Sequence, residues 1–361
     1  MKILYVTLLA LLSLLPALAQ TKVNKHQIDT AVQNFMHTAK VPGVAIAVLK
    51  NGNLLYENVY GVSNLELNTP VKRNTVFELA SVTKQMTAAL VTTLAGEGKI
   101  SLDDKLVKYI DNPPATWQDI TIRQLLSHMA GLQMDFEQKT NGSYLLNYSK
   151  AFMLEGAKAL PLLSKPGTKW KYSDQGYFLA GVALEKATGQ NFDTLIINRF
   201  FKPMGMVNTR FLNQDDIIPN RVQGYLVKNG QYFHDRRSWQ FELTPHFGVM
   251  STIEDMVAYE KALVKGQIIT PQVSNQLTTP SRIFYTKPNE QYAYGMGWEL
   301  HDFGRQHIAE HSGYTGTAYV RNLTTGLTII LLTNRDADFG PHPFILAHLI
   351  ARIVDASFPA Y

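Results

Sequence analysis

The chain has no cysteine. It therefore forms no disulfide and offers no N-terminal cysteine for lipid attachment. Long apolar runs are nearly absent too: an apolar run covers Ile3 to Leu15, and it is too short to be a comfortable membrane span. No later stretch qualifies, so no transmembrane segment is expected in the mature chain. Clusters of one charge are also missing. The 34 Lys and Arg are scattered among 29 Asp and Glu, which gives no support to a nucleic-acid or membrane-surface role. No set of His and carboxylate residues has metal-ligand spacing, and no cofactor is expected. Internal repeats, low-complexity tracts and linker-like stretches are absent as well.

What is present begins with an export signal. Lys2 supplies the positive start, Ile3 to Leu15 the apolar run, Pro16 the break, and Ala17-Leu18-Ala19 the small-residue cleavage site ahead of Gln20. An exported protein without disulfides fits a bacterial periplasm better than a eukaryotic secretory route. Without Lys2 the formal charge is +4. The remaining chain, residues 20–361, is long enough for roughly two domains, but with no linker it reads as a single catalytic domain. Its α/β part is expected at about 20–80 and 245–361, and its helical part at about 81–244.

Periodicity supports that division. Ile28, Val32, Phe35 and Met36 recur at helical spacing between Lys22 and Lys40. Pro42-Gly43 is expected to end this helix. Val44 to Leu49 reads as a buried strand, and Asn51-Gly52 as a two-residue hairpin turn into Leu54 to Tyr60. From Ser81 to about Thr209 the pattern is mostly helical. Strand character returns at Gly295 to Leu300, Thr317 to Arg321 and Leu327 to Thr333, and Phe344 to Val354 reads as a closing helix. The expected fold class is α+β: an antiparallel sheet flanked by helices, built from N- and C-terminal segments, with a mostly helical region inserted.

Three segments carry chemistry. In Ser81-Val82-Thr83-Lys84 a serine precedes a lysine by three residues at the opening of an amphipathic helix, so both side chains share one face. A serine hydroxyl is a poor nucleophile until a neighbouring base takes its proton. Lysine and tyrosine, with reference pKa values of about 10.4 and 10, serve only when burial or a nearby positive charge tunes them. The second segment runs from Pro166-Gly167 through an aromatic stretch to Tyr172-Ser173-Asp174, with a helix expected from about Gly176. The third is His311-Ser312-Gly313-Tyr314, between an expected strand before it and one after it.

In this order the three segments resemble the serine β-lactamase and penicillin-binding family, most closely its class C branch of β-lactamases, carboxylesterases, D-aminopeptidases and D,D-carboxypeptidases. Further stretches match in style, among them Leu125 to Leu132, Gly248 to Thr252 and Tyr294-Gly295-Met296-Gly297-Trp298. The likeness runs from about residue 25 to the C-terminus. It implies Ser81 as the acylated nucleophile and Lys84 as its helper. Tyr172 would protonate the leaving group and later activate water. The backbone N–H groups of Ser81 and Tyr314 would form the oxyanion hole. Asp174, His311, Ser312 and Gly313 would line the substrate site, His311 either bonding Tyr172 or helping to hold a substrate carboxylate. The implied substrate is a small ester or peptide, with peptidoglycan-derived peptides included.

Other matches read as structure. Tyr56-Glu57-Asn58 lies ahead of Ser81 on a strand, Tyr148-Ser149-Lys150 lacks the aromatic lead-in, and His128 is expected to satisfy buried backbone groups. His246-Phe247-Gly248 adjoins a stretch that the family uses structurally. Asn141-Gly142-Ser143 is a glycosylation sequon by pattern alone. The notable departure is Asp174, where the family usually carries asparagine. A carboxylate keeps the role of acceptor for Lys84 but loses the amide donor, and its charge favours the ammonium form of Lys84. The expected function is thus an esterase or a D-amino acid-directed peptidase or amidase. The alternatives are a true β-lactamase or D,D-carboxypeptidase, and a catalytically silent binding protein.

Overall fold

A computed structural model describes residues 23–134, 146–235, 239–337 and 341–360. The expected export signal and the sequon at Asn141 lie outside the described residues. Val44 to Leu49 forms most of the strand Gly43–Lys50, and its alternate side chains enter two different cores. Val44, Ile46 and Val48 pack with Ile28, Val32 and Phe35 of the helix Lys25–Ala39 and with Leu346 and Ile350 of the helix Pro343–Val354. Ala45, Ala47 and Leu49 join the larger core on the other face. A strand covered on both faces needs apolar residues at every position, which is why this run does not alternate.

Asn51 and Gly52 both take positive φ, 50° and 75°, the backbone of a tight hairpin turn that returns the chain into Asn53–Asn64. The first helix is capped by Asn24, whose side chain accepts from the Gln27 N–H. It ends at Lys40 in the left-handed conformation, before the Pro42-Gly43 pair that was expected to stop it.

Among the described residues, nine strands form one sheet. From one edge they run Arg282–Lys287, Glu290–Tyr294, Glu299–Phe303, Gln306–Gly313, Thr317–Asn322, Leu327–Thr333, Gly43–Lys50, Asn53–Asn64 and Thr69–Pro70. Neighbours are antiparallel throughout, and Val44 pairs with Thr333, so the N-terminal hairpin completes a sheet begun by the C-terminal strands. Between them the chain supplies the helices Thr83–Gly96, Ile122–Leu126, Lys150–Ala159, Asp174–Thr188 and Phe192–Ile196. The architecture is the α+β class expected.

Three local expectations differ. Gly295 to Trp298 is a turn rather than a strand, and the strand begins at Glu299. Gly297 there has φ +77°, and a Cβ on it would lie 2.8 Å from the Lys84 carbonyl oxygen, so this turn sits directly on the helix Thr83–Gly96. His311 to Gly313 belongs to the strand Gln306–Gly313 itself rather than to a gap between strands. The helix after Tyr172 starts two residues earlier than expected, at Asp174, with Ser173 as its cap.

Candidate active site

Ser81 sits in a short 3-10 turn, Ala80–Val82, that feeds the helix Thr83–Gly96. Ala80 takes φ +48°. For a residue with a Cβ this left-handed conformation costs about 1–2 kcal/mol. The leader into this turn is clamped. Phe77–Glu78 pairs with Val249–Ser251, while Thr315 and Thr317 donate their hydroxyls to the carbonyls of Glu78 (2.7 Å) and Leu79 (2.9 Å). Gly313 lies so close that a Cβ on it would meet the Leu79 oxygen at 2.4 Å. The turn that carries Tyr314 is thus held against the residues leading into Ser81.

The helix Thr83–Gly96 is buried nearly all round, and Lys84 on its first turn has no exposed surface. Its ammonium donates to Ser81 Oγ at 3.1 Å and to the His246 carbonyl at 2.8 Å, and pairs with Asp174 Oδ1 at 2.6 Å. Two hydrogen bonds and one ion pair thus hold the buried ammonium. It also lies 4.8 Å from the Tyr172 ring centroid and 5.6 Å from that of Tyr177. Asp174 stands at the first position of the helix Asp174–Thr188, where the helix dipole favours an anion.

Tyr172 donates its hydroxyl to Ser81 Oγ at 2.9 Å. His128 brackets it: the Lys171 N–H donates to the His128 carbonyl (3.0 Å) and the Ser173 N–H to His128 Nδ1 (3.1 Å). The His128 ring packs at a tilt against Tyr172, with centroids 4.4 Å apart and an interplanar angle of 37°. His128 itself takes φ +59°, a conformation that histidine tolerates better than most residues. It satisfies a buried backbone group as expected, and its other nitrogen faces the Tyr294 hydroxyl at 3.2 Å.

The structure gathers Ser81, Lys84, Tyr172 and Asp174 around one hydroxyl. His311 does not touch Tyr172 through a hydrogen bond. Its Nδ1 donates to the Ser312 carbonyl (2.7 Å), and its Nε2 faces Tyr294 Oη (3.2 Å). Ser312 belongs to the opposite face of the strand, where its Oγ lies 3.2 Å from His342 Nε2. Burial, reinforced by the charge of Lys84, pushes His311 down to about 3. Burial likewise pushes His246 down to about 3, and holds His128 well below the usual histidine range. All three imidazoles are therefore neutral at neutral pH.

Two participants escape the motif pattern. His246 serves through its backbone carbonyl, a role that leaves no mark on residue type. Tyr294 lies in the Tyr-Gly-Met-Gly-Trp stretch, whose aromatic head was the available signal.

Comparison with known proteins gives the family and the fold. The Beta-lactamase family profile matches residues 28–351. The chain belongs to the beta-lactamase family. It is 26% identical over 350 residues to Protein flp of Staphylococcus aureus (strain MRSA252), covering 93% of this chain and 67% of that protein. Among solved structures it is similar to the octameric penicillin-binding protein homologue from Pyrococcus abyssi, with TM-score 0.79, 22% identity, and 92% and 77% of the two chains covered. It is also similar to EstCE1, described as a hydrolase with promiscuous acyltransferase activity, with TM-score 0.78, 19% identity, and 93% and 98% covered. These likenesses give the β-lactamase and penicillin-binding fold, and the family is one of serine hydrolases.

Proposed function

We propose that the protein is an exported serine hydrolase that forms an acyl-enzyme on Ser81 and acts on simple esters or on peptides and amides of D-amino acids. The carrying observation is the contact set of Ser81 Oγ: Lys84 Nζ at 3.1 Å and Tyr172 Oη at 2.9 Å, with Lys84 paired to Asp174. Lys84, paired with Asp174, donates to Ser81 Oγ and holds it beside the Tyr172 hydroxyl. Ser81 Oγ attacks the carbonyl carbon while its proton passes to Tyr172 Oη and the Tyr172 proton passes on to the leaving group, whose bond to that carbon breaks. Water then attacks the acyl carbon, its proton passing to Tyr172 Oη as the Tyr172 proton passes to Ser81 Oγ, so the Ser81–acyl bond breaks and the acid leaves. The N–H groups of Ser81 and Tyr314 stabilise the oxyanion at each stage, by a few kcal/mol per donor.

Two features favour esters and D-amino acid amides over penicillins and C-terminal carboxylates. Asp174 offers Lys84 an acceptor but offers a substrate carbonyl no amide donor. His311, neutral and with both nitrogens engaged, offers no charge to a carboxylate. EstCE1, similar in fold, is described as a hydrolase with promiscuous acyltransferase activity, and acyl transfer is the chemistry proposed for Ser81.

A panel of a nitrophenyl ester, a D-alanyl anilide and a chromogenic cephalosporin tests this on wild type, Ser81→Ala and Asp174→Asn. The ester or the anilide should be hydrolysed well and the cephalosporin poorly. Ser81→Ala should lose at least about a thousandfold in kcat, and Asp174→Asn should gain cephalosporin turnover. Cephalosporin hydrolysis by wild type at rates matching the ester would overturn the substrate assignment. Undiminished activity in Ser81→Ala would overturn the mechanism.

A further inference from the structure

We propose that His128 and Tyr294 are positioning residues that fix His311 as a neutral imidazole protonated on Nδ1 and, through the same hydrogen-bonded chain, hold Tyr172 against Ser81. The proposal rests on the hydrolase reading for its kinetic consequences, but its geometric core stands apart from it.

The direction of every proton in the chain follows from its two ends. At one end the Ser173 N–H donates to His128 Nδ1, so that nitrogen carries no proton and the ring must carry its proton on Nε2. His128 Nε2–H then donates to Tyr294 Oη, 3.2 Å away. At the other end the acceptor is the Ser312 carbonyl, so His311 Nδ1 must be the donor. Neutral His311 therefore presents a bare Nε2 to Tyr294, whose remaining proton points at it across 3.2 Å. One hydroxyl thus serves both rings, accepting from His128 and donating to His311.

A proton on His311 Nε2 would break this order. Tyr294 would have to turn its own proton toward the hydroxyl of Tyr177, its other hydroxyl neighbour, which itself donates to the Leu126 carbonyl at 2.7 Å. The groups facing His311 oppose that change. Lys84, from the helix Thr83–Gly96, carries a positive charge, and Asp174, which offsets it, is already paired with Lys84. His128, from the turn after Ile122–Leu126, and Tyr172 and Tyr294 supply no counter-charge. Glu310 and Ser312, adjacent on the strand, belong to its other face.

The same histidine fixes the tyrosine. His128 takes the N–H groups on both sides of Tyr172, one on its carbonyl and one on its ring, and its ring packs at a tilt against the phenol between them. Rotating or removing the His128 ring therefore shifts Tyr172 relative to Ser81. Tyr294 locks that ring from its far nitrogen.

The test uses the full chain labelled with ¹⁵N-histidine, with nitrogen–proton correlation spectra recorded from pH 5 to 8. His311, assigned by the resonances lost in His311→Gln, should show a protonated Nδ1 and a bare Nε2 throughout. His128, assigned through His128→Asn, should show the opposite tautomer and likewise not titrate. In Tyr294→Phe, kcat should fall about ten- to a hundredfold with KM little changed, and the Nε2 resonance of His311 should move. A His311 protonated on Nε2, or titrating between pH 5 and 8, overturns the proposal. So does a Tyr294→Phe enzyme with kcat within twofold of wild type and unmoved imidazole resonances. If Tyr294→Phe does not fold, the wild-type spectra still decide. An inactive enzyme with the expected tautomers would count against the hydrolase reading alone.

Discussion

Glu310 and His311 are neighbours in the chain, yet they serve two different polar clusters on opposite faces of one strand. On the inner side His311 joins Tyr294 and His128 in a chain of neutral hydrogen bonds beside Lys84 and Ser81. On the outer side Glu310, fully buried, bonds His348 of the helix Pro343–Val354 at 2.7 Å and lies 3.3 Å from His301. Glu299, directly across the strand pair, bonds Tyr292 at 2.8 Å. The inner cluster leaves one hydroxyl, Ser81, between two proton carriers. The outer cluster ends in no such group and ties a helix to the sheet. Burial and hydrogen bonding are common to both, and what separates them is whether a reactive atom stands at the end of the network.

The largest effect that probes this contrast is on stability. Replacing His348 with Leu strips a buried carboxylate of its nearest partner and should cost about 3 kcal/mol. Denaturant unfolding would measure that loss, while kcat of the folded variant should stay within about twofold. A tenfold fall in kcat with little loss of stability would mean that the outer cluster also serves catalysis.

A smaller effect concerns pH. Burial, and then the charge of Glu310, push Glu299 up to about 7. The native state therefore holds a proton there that the unfolded state, with a carboxyl near 4.5, has released. Its contribution is full below about pH 4.5 and is lost as pH rises through 7, on the order of 3 kcal/mol. His311 and His246 act in the opposite sense. With native values of about 3, they favour folding fully above about 6.5, and that contribution is lost as pH falls toward 3. Glu299→Gln should flatten the fall in melting temperature between pH 5 and 8 and leave the acid side unchanged. An unaltered profile would show that Glu299 ionises normally.

How much of this was legible in the sequence depended on how local the signal was. Val44 to Leu49 and Asn51-Gly52 declare a buried strand and its turn through residue type alone. Ser81 and Lys84 are tied by helical spacing, and the order of the three motifs brought in Tyr172 and Asp174. The hairpin Arg282–Lys287 and Glu290–Tyr294 was not apparent, because its residues are mostly exposed or half-buried and a register shift interrupts their alternation. Contacts made by backbone atoms, such as the His246 carbonyl on Lys84, leave no compositional trace. The Glu310–His348 and Tyr294–His128 pairs join residues 38 and 166 positions apart, and only the packed sheet brings them together. His311 shows the limit most clearly. Its motif suggested contact with Tyr172 or a carboxylate, but Tyr294 and the Ser312 carbonyl occupy its nitrogens.

The central claim is that Ser81 takes an acyl group. Intact-protein mass spectrometry after exposure to a fluorophosphonate, followed by peptide mapping, tests it most directly. Wild type should gain one adduct, on the peptide containing Ser81, and Ser81→Ala should gain none. Unlabelled wild type, or an adduct that persists in Ser81→Ala, would contradict the account.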